Sequence, residues 1–149
     1  MTEQEFLRHI AASAVEIEKC SNRTMPIKAG RIAKDRFQNN FLLGGFLDGG
    51  LHKWKVSKRI GKIKGAKGKY KTLMSGRNHL YNSIEYTVSD AEVVIQNSVP
   101  YAAVHNDGLR AGRGKGFQMP RRQFIGESQE LTADIEKMIE TELTKILKI

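Results

Sequence analysis

An α+β fold, with a small antiparallel sheet flanked by N-terminal and C-terminal amphipathic helices and a long basic loop, follows from three features of the sequence. Apolar residues recur every three or four positions near both ends, they alternate with polar residues in the middle, and a glycine- and lysine-rich stretch between shows neither period.

The first helix is expected over residues 3–21. Thr2 followed by Glu5 is a capping-box pattern, in which each side chain accepts a hydrogen bond from the other residue's backbone N–H. Phe6, Leu7, Ile10, Ala14 and Ile17 then form one apolar stripe, while Glu3, Arg8, Ser13 and Glu16 fall mostly on another face. That stripe is either core or a subunit contact. The pattern ends near Ser21 or Asn22. Pro26 suits the first turn of a second helix, 26–43, where its missing N–H is harmless; Ile32, Ala33, Phe37, Phe41 and Leu42 continue an apolar face until Gly44 and Gly45 stop it.

Residues 49–75 read as a long loop carrying at most short strands around His52 to Val56. Loops of this length in compact domains tend to be functional or disordered. From Gly49 to Ile84 the chain carries Lys53, Lys55, Lys58, Arg59, Lys62, Lys64, Lys67, Lys69, Lys71 and Arg77 and no acid, within a protein of net charge +9. Such a segment attracts a polyanion or an acidic protein face, or is simply a solvated loop that keeps the chain soluble. Lys58, Arg59, Lys62, Lys64 and Lys67, joined by Arg113 and Lys115 in a second glycine-rich loop (109–116), are the candidate contacts with nucleic acid or a neighbouring protein.

Residues 80–126 hold a hairpin and a cluster of motifs. Ile84, Tyr86 and Val88 alternate with Ser83, Glu85 and Thr87; Ser89-Asp90 breaks the run before Val93 and Ile95 resume it. Pro100 opens a short helix that places Tyr101, Val104 and His105 on one face and ends at Gly108, and residues 117–125 read as extended. Ser128 then caps the C-terminal helix, 128–147, along which Leu131, Ile135, Met138, Ile139, Leu143 and Ile146 repeat at helical spacing. At 149 residues a single domain is expected, able to bury a core without metal or disulfide.

Catalytic and cofactor signatures are missing from the pattern. Gly112-Arg113-Gly114-Lys115-Gly116 lacks the spacing of a phosphate-binding loop, and Phe117 stands where that motif needs Ser or Thr. His9, His52, His79 and His105 lie far apart, and with the single Cys20 they make no zinc-ligand spacing. His105 and Asp107 sit two residues apart near a helix end and point in different directions, so His105 is expected to hydrogen-bond backbone there. No serine lies in a nucleophile elbow. The reading is therefore a non-enzyme without cofactor or metal. The lone cysteine and the absence of a signal-like segment suit a reducing cytoplasm, and no apolar run approaches the roughly 18 residues that span a bilayer.

Three ordered segments carry a family resemblance. Leu73-Met74-Ser75-Gly76 leads to Leu80 and Ser83-Ile84; Pro100-Tyr101-Ala102-Ala103-Val104-His105 is followed by Gly108; and Met119-Pro120-Arg121-Arg122-Gln123-Phe124-Ile125-Gly126 precedes the last helix. Together with Trp54 after a glycine-rich turn, this order resembles the phage virion morphogenesis family, which includes the G protein of phage Mu, and more loosely the tail-completion proteins of long-tailed phages. The stretch from Gly76 to Leu80 is longer than in the family pattern, Asp107 replaces a common aromatic and Gln123 a frequent proline. The resemblance implies an assembly role in tail completion or head-tail joining. It further implies a homo-oligomeric ring, other phage neck or tail proteins as partners, and residence in the host cytoplasm during assembly and then in the virion. Its motif residues are Trp54, Tyr101, His105, Gly108, Pro120, Arg122, Phe124 and Gly126; Tyr101, Pro120 and Phe124 are expected to pack inward as core and turn residues. A basic nucleic-acid-binding protein is the rival reading.

Overall fold

The computed structural model describes residues 1–148. Helix α1 (Glu3–Lys19) starts with the capping box: Thr2 Oγ1 accepts the Glu5 N–H at 3.1 Å and the Glu5 carboxylate accepts the Thr2 N–H at 2.7 Å. The expected break near Ser21 or Asn22 is replaced by a π turn (Cys20–Thr24) that carries the helical chain directly into α2 (Met25–Leu43). Pro26 explains the π turn. Inside an α-helix its ring would press on the Asn22 carbonyl and leave that carbonyl without its donor. The wider turn relieves the clash, and the Asn22 carbonyl accepts the N–H of Ala91 instead, at 3.2 Å.

Gly44 ends α2 in a left-handed conformation (φ 72°), its N–H donating to the Asn40 carbonyl at 2.9 Å. The strands form three separate antiparallel ladders: β1 (Gly45–Leu47) with β2 (Leu51–Lys53), β3 (Ile84–Ser89) with β4 (Glu92–Asn97), and β5 (Arg110–Ala111) with β6 (Phe117–Gln118). The β3–β4 hairpin pairs Tyr86 with Ile95 and Val88 with Val93, and it lies on α2. Gly30 of α2 makes that approach possible, since a Cβ there would stand 2.4 Å from Cδ2 of Tyr86. Two short helices, α3 (His79–Asn82) and α4 (Ala102–Asp107), flank the hairpin. The last helix, α5 (Gln129–Leu147), packs along α2.

Phe41 of α2 is fully buried at the centre of the core. It meets Trp54 edge-on (centroids 5.6 Å), Tyr81 edge-on (6.0 Å) and Phe124 tilted (5.0 Å), pairs worth roughly 0.5–1.5 kcal/mol each beyond their area. Ala33, Phe37, Phe46, Leu80, Ile84 and Ala102 close the cluster. Thus α2, the hairpin, α3, α4 and the stretch before α5 share one core.

Candidate functional site

The motif residues gather around an extended strap, 119–128, that crosses the body between α4 and α5. Its backbone groups are held by side chains from distant parts of the chain. Asn106 Oδ1 accepts two backbone N–H groups, Phe124 at 2.9 Å and Ile125 at 3.0 Å. Asn40, buried on α2, donates to the Phe124 carbonyl at 3.1 Å, and Trp54 Nε1 donates to the Gln123 carbonyl at 2.8 Å. The Arg122 N–H donates to the His105 carbonyl at 2.8 Å. At the strap's end Ser128 donates to the Leu47 carbonyl at 2.7 Å and accepts the Leu131 N–H as N-cap of α5.

The structure therefore brings Trp54, His105, Arg122 and Phe124 together and shows why glycine stands beside them. Gly108 caps α4 at φ 68°, and a Cβ there would lie 2.9 Å from that of Arg121; a Cβ on Gly126 would lie 1.9 Å from the Gln123 amide nitrogen. Pro120 is half-buried in the strap, and Phe124 packs in the core as expected. Tyr101 departs from expectation. It is 44% exposed and stands edge-on over His105, 5.9 Å away, because the core position on that turn goes to Ala102. His105 also departs: its Nδ1 is buried and has no hydrogen-bond partner among the described residues.

The basic loop is more ordered than its composition suggests. Arg59 folds back into it, its guanidinium donating to the carbonyls of Lys67 (2.5 Å), Tyr70 (2.8 Å), Lys71 (2.9 Å) and Met74 (2.8 Å). Arg59, expected as a contact with a polyanion or a neighbouring protein, has its guanidinium engaged within the loop, where it ties together carbonyls that no strand or α-helix gathers. Gly68 is buried where a Cβ would meet the Ile63 carbonyl at 1.9 Å, and Thr72 accepts the Ser57 N–H at 3.1 Å. Lys58, Lys62, Lys64 and Lys67 remain exposed on this scaffold, as do Arg113 and Lys115 on the turn between β5 and β6. Strand β6 follows Gly116 directly, so the helix a phosphate-binding loop requires is not there.

Two small cavities meet at Arg122 and His105. One, about 220 Å³, is walled by Arg59, Thr72, Leu73, Ser75, His79 and Tyr101; the other, about 440 Å³, by Lys55, Lys58, Phe117, Met119 and Pro120. Burial holds the His105 imidazole below its usual pKa, with the neighbouring Arg122 charge adding to the effect, and burial likewise lowers that of Arg122. Leu73, in the first wall, keeps a left-handed backbone (φ 63°) that disfavours a β-carbon. A broader open groove of about 850 Å³ runs between α2, β4 and α5, with Phe37, Ile95, Ile125, Leu131 and Ile135 in its floor.

The first turns of α1 are bare. Phe6, Leu7 and Ile10 are 51%, 57% and 50% exposed, and Ser13 is the first buried residue of the helix. Sequence reasoning marked this stripe but missed Asn40, Asn106 and Thr72, polar residues whose importance comes from backbone groups far away in the chain. Among the described residues no three His, Cys, Asp or Glu side chains are placed to hold a metal ion, and no helix is long and apolar enough to cross a membrane.

Residues 48–144 match the model of the phage virion morphogenesis family, a span that contains the basic loop, the hairpin, the strap and most of α5. Over 100 residues the chain is 30% identical to the Mu-like prophage FluMu G protein 2 of Haemophilus influenzae, an alignment covering 67% of this chain and 66% of that protein. No solved structure matches. The chain belongs to the phage virion morphogenesis family.

Proposed function

We propose, with that membership as premise, that the protein is a non-enzymatic structural component acting in tail completion or head-tail joining, where copies associate in a ring and contact neck or tail proteins. The observation that carries the assembly part is the bare apolar stripe of α1. Phe6, Leu7 and Ile10 share one face of a capped helix that projects before its first buried residue. An exposed apolar face of this kind suits a protein partner. The strap supports the reading from the other side, since the side chains of Asn40, Trp54 and Asn106 are spent on holding its backbone in place.

Light scattering of the purified chain across concentration and salt tests this reading. A discrete ring-sized species is expected, reduced to monomer by Phe6→Ser with Leu7→Ser. A wild-type monomer that stays monomeric with tail or neck proteins present would overturn it.

One observation favours a second reading, nonspecific DNA contact: Lys58, Lys62, Lys64 and Lys67 stand exposed on one loop with no acid between Gly49 and Ile84. Its signature is affinity for short duplex DNA that falls steeply with salt and depends on those lysines. Tight binding by a monomer at physiological salt would favour it over assembly.

A further inference from the structure

Arg122 is 7% exposed and carries a full positive charge in the body of the protein. Its Nε donates to the Lys55 carbonyl at 2.8 Å, while among the described residues Nη1 meets only the Met119 sulfur, at 3.9 Å. Among the described residues no carboxylate lies within 4.0 Å of it. A guanidinium has five N–H donors and does not lose its proton in proteins, so burying one without an anion is unfavourable. Beside it the buried Nδ1 of His105 also lacks a partner among the described residues. The cavities on either side carry Arg59, His79, Lys55 and Lys58 in their walls and no Asp or Glu.

We propose that Arg122 and His105 form a recessed oxyanion site whose occupant is the side-chain carboxylate of a partner virion protein. The chemistry follows from the donors. The guanidinium fork matches the two oxygens of a carboxylate, and His105, with a proton on Nδ1, adds a donor from the side. Tyr101 and Leu73 in the walls give an entering side chain apolar surface to lie against. A DNA phosphate fits less well, because a stiff duplex presents its backbone on a convex surface while Arg122 is recessed beneath the loop. The assignment of the carboxylate to a virion partner rests on the assembly reading above; the site itself does not.

The test is nuclear magnetic resonance of the four histidine rings in the full chain, titrated with sodium acetate against sodium chloride at constant ionic strength. Acetate is expected to shift the His105 ring saturably and to raise its pKa, since a bound anion favours the imidazolium, while exposed His9 and His52 stay still. Arg122→Gln should abolish the saturable shift. Arg122→Lys, which keeps the charge and loses the fork, should weaken it by about tenfold or more. Melting curves establish that each variant is folded, and His79→Gln supplies a further wall variant expected to weaken the shift. No saturation, equal movement of all four rings, or an unchanged response in folded Arg122→Gln or Arg122→Lys would overturn the site. Saturation by inorganic phosphate or a short duplex but not by acetate would overturn the carboxylate assignment. Acetate binding needs neither partner nor ring, so its failure is separable from a failure of assembly, which light scattering reads alone.

Discussion

Helices α1 and α5 begin alike and end differently. Each has a side-chain N-cap and an apolar stripe at three- and four-residue spacing. The stripe of α5 lies half-buried along α2, and its flanks are tied there by Arg36 to Asp134 at 2.6 Å and by Lys28 to Glu142. The first two turns of α1 are exposed throughout, and Phe6, Leu7 and Ile10 face outward. Amphipathic spacing says that a face is meant to be covered; it does not say whether the cover is in the same chain. In this protein the hydrogen-bonded strap decides the matter for α5, because Ser128 and Asp48 hold its first turn against β1 and the β1–β2 turn.

Loosening the strap should carry the largest cost. Phe124→Ala should destabilise the folded chain by about 3–5 kcal/mol, since it opens a cavity beside Phe41 at the point where the strap enters the core. Asn106→Ala should follow, at roughly 1–3 kcal/mol in all, since the part-buried backbone N–H groups of Phe124 and Ile125 lose their shared acceptor. Ser128→Ala removes the α5 cap and should cost about 1 kcal/mol. Urea unfolding monitored by circular dichroism ranks all three. Equal, small losses would mean that α5 stays in place without the strap.

Acid sharpens the same contrast. His105 has its pKa depressed by burial and by Arg122, so its contribution to stability is present above its unfolded pKa, about 6.5, and is lost as pH falls through the lower folded value. Glu142, whose pKa is lowered chiefly by its bond to Lys28, acts in the same direction further down, below the ordinary carboxylate range near 4.3. Unfolding free energy should therefore decline in two stages on acidification. His105→Leu should remove the upper stage and Glu142→Gln should shrink the lower, which it shares with Glu130, a carboxyl held down by backbone N–H groups including that of Gly49. An unaltered profile in both variants would place the acid sensitivity elsewhere.

Much of this plan was legible in the sequence, and the reasons for the rest are specific. Local signals were read directly: the Thr2 capping box, the β3–β4 alternation, Gly44 as a helix stop and Ser128 as a cap. Pro26 reads as a helix start because proline is favoured there. Its role in a continuous helix depends on the Ala91 N–H reaching the Asn22 carbonyl, a contact across sixty-nine positions. Arg59 looked like its lysine neighbours, and only folding shows that its planar fork gathers four carbonyls where a lysine could not. The motif residues were located, yet the orphaned Nδ1 of His105 and the unpaired charge of Arg122 are facts of burial that no spacing encodes.

The bare stripe of α1 should contribute least to the stability of the monomer. Phe6→Ser with Leu7→Ser should change the unfolding free energy of the monomer by no more than about 0.5 kcal/mol per residue, as for surface positions, because neither side chain is buried. The same pair of changes made on α5, Leu131→Ser with Ile135→Ser, should be severely destabilising, since those side chains lie half-buried against the body. If the α1 pair proved as damaging as the α5 pair in a chain held monomeric by dilution, the arm would be folded onto its own body in solution. The two helices would then be alike, and the association surface would have to be sought elsewhere, first at the open groove floored by Phe37, Ile95 and Ile135.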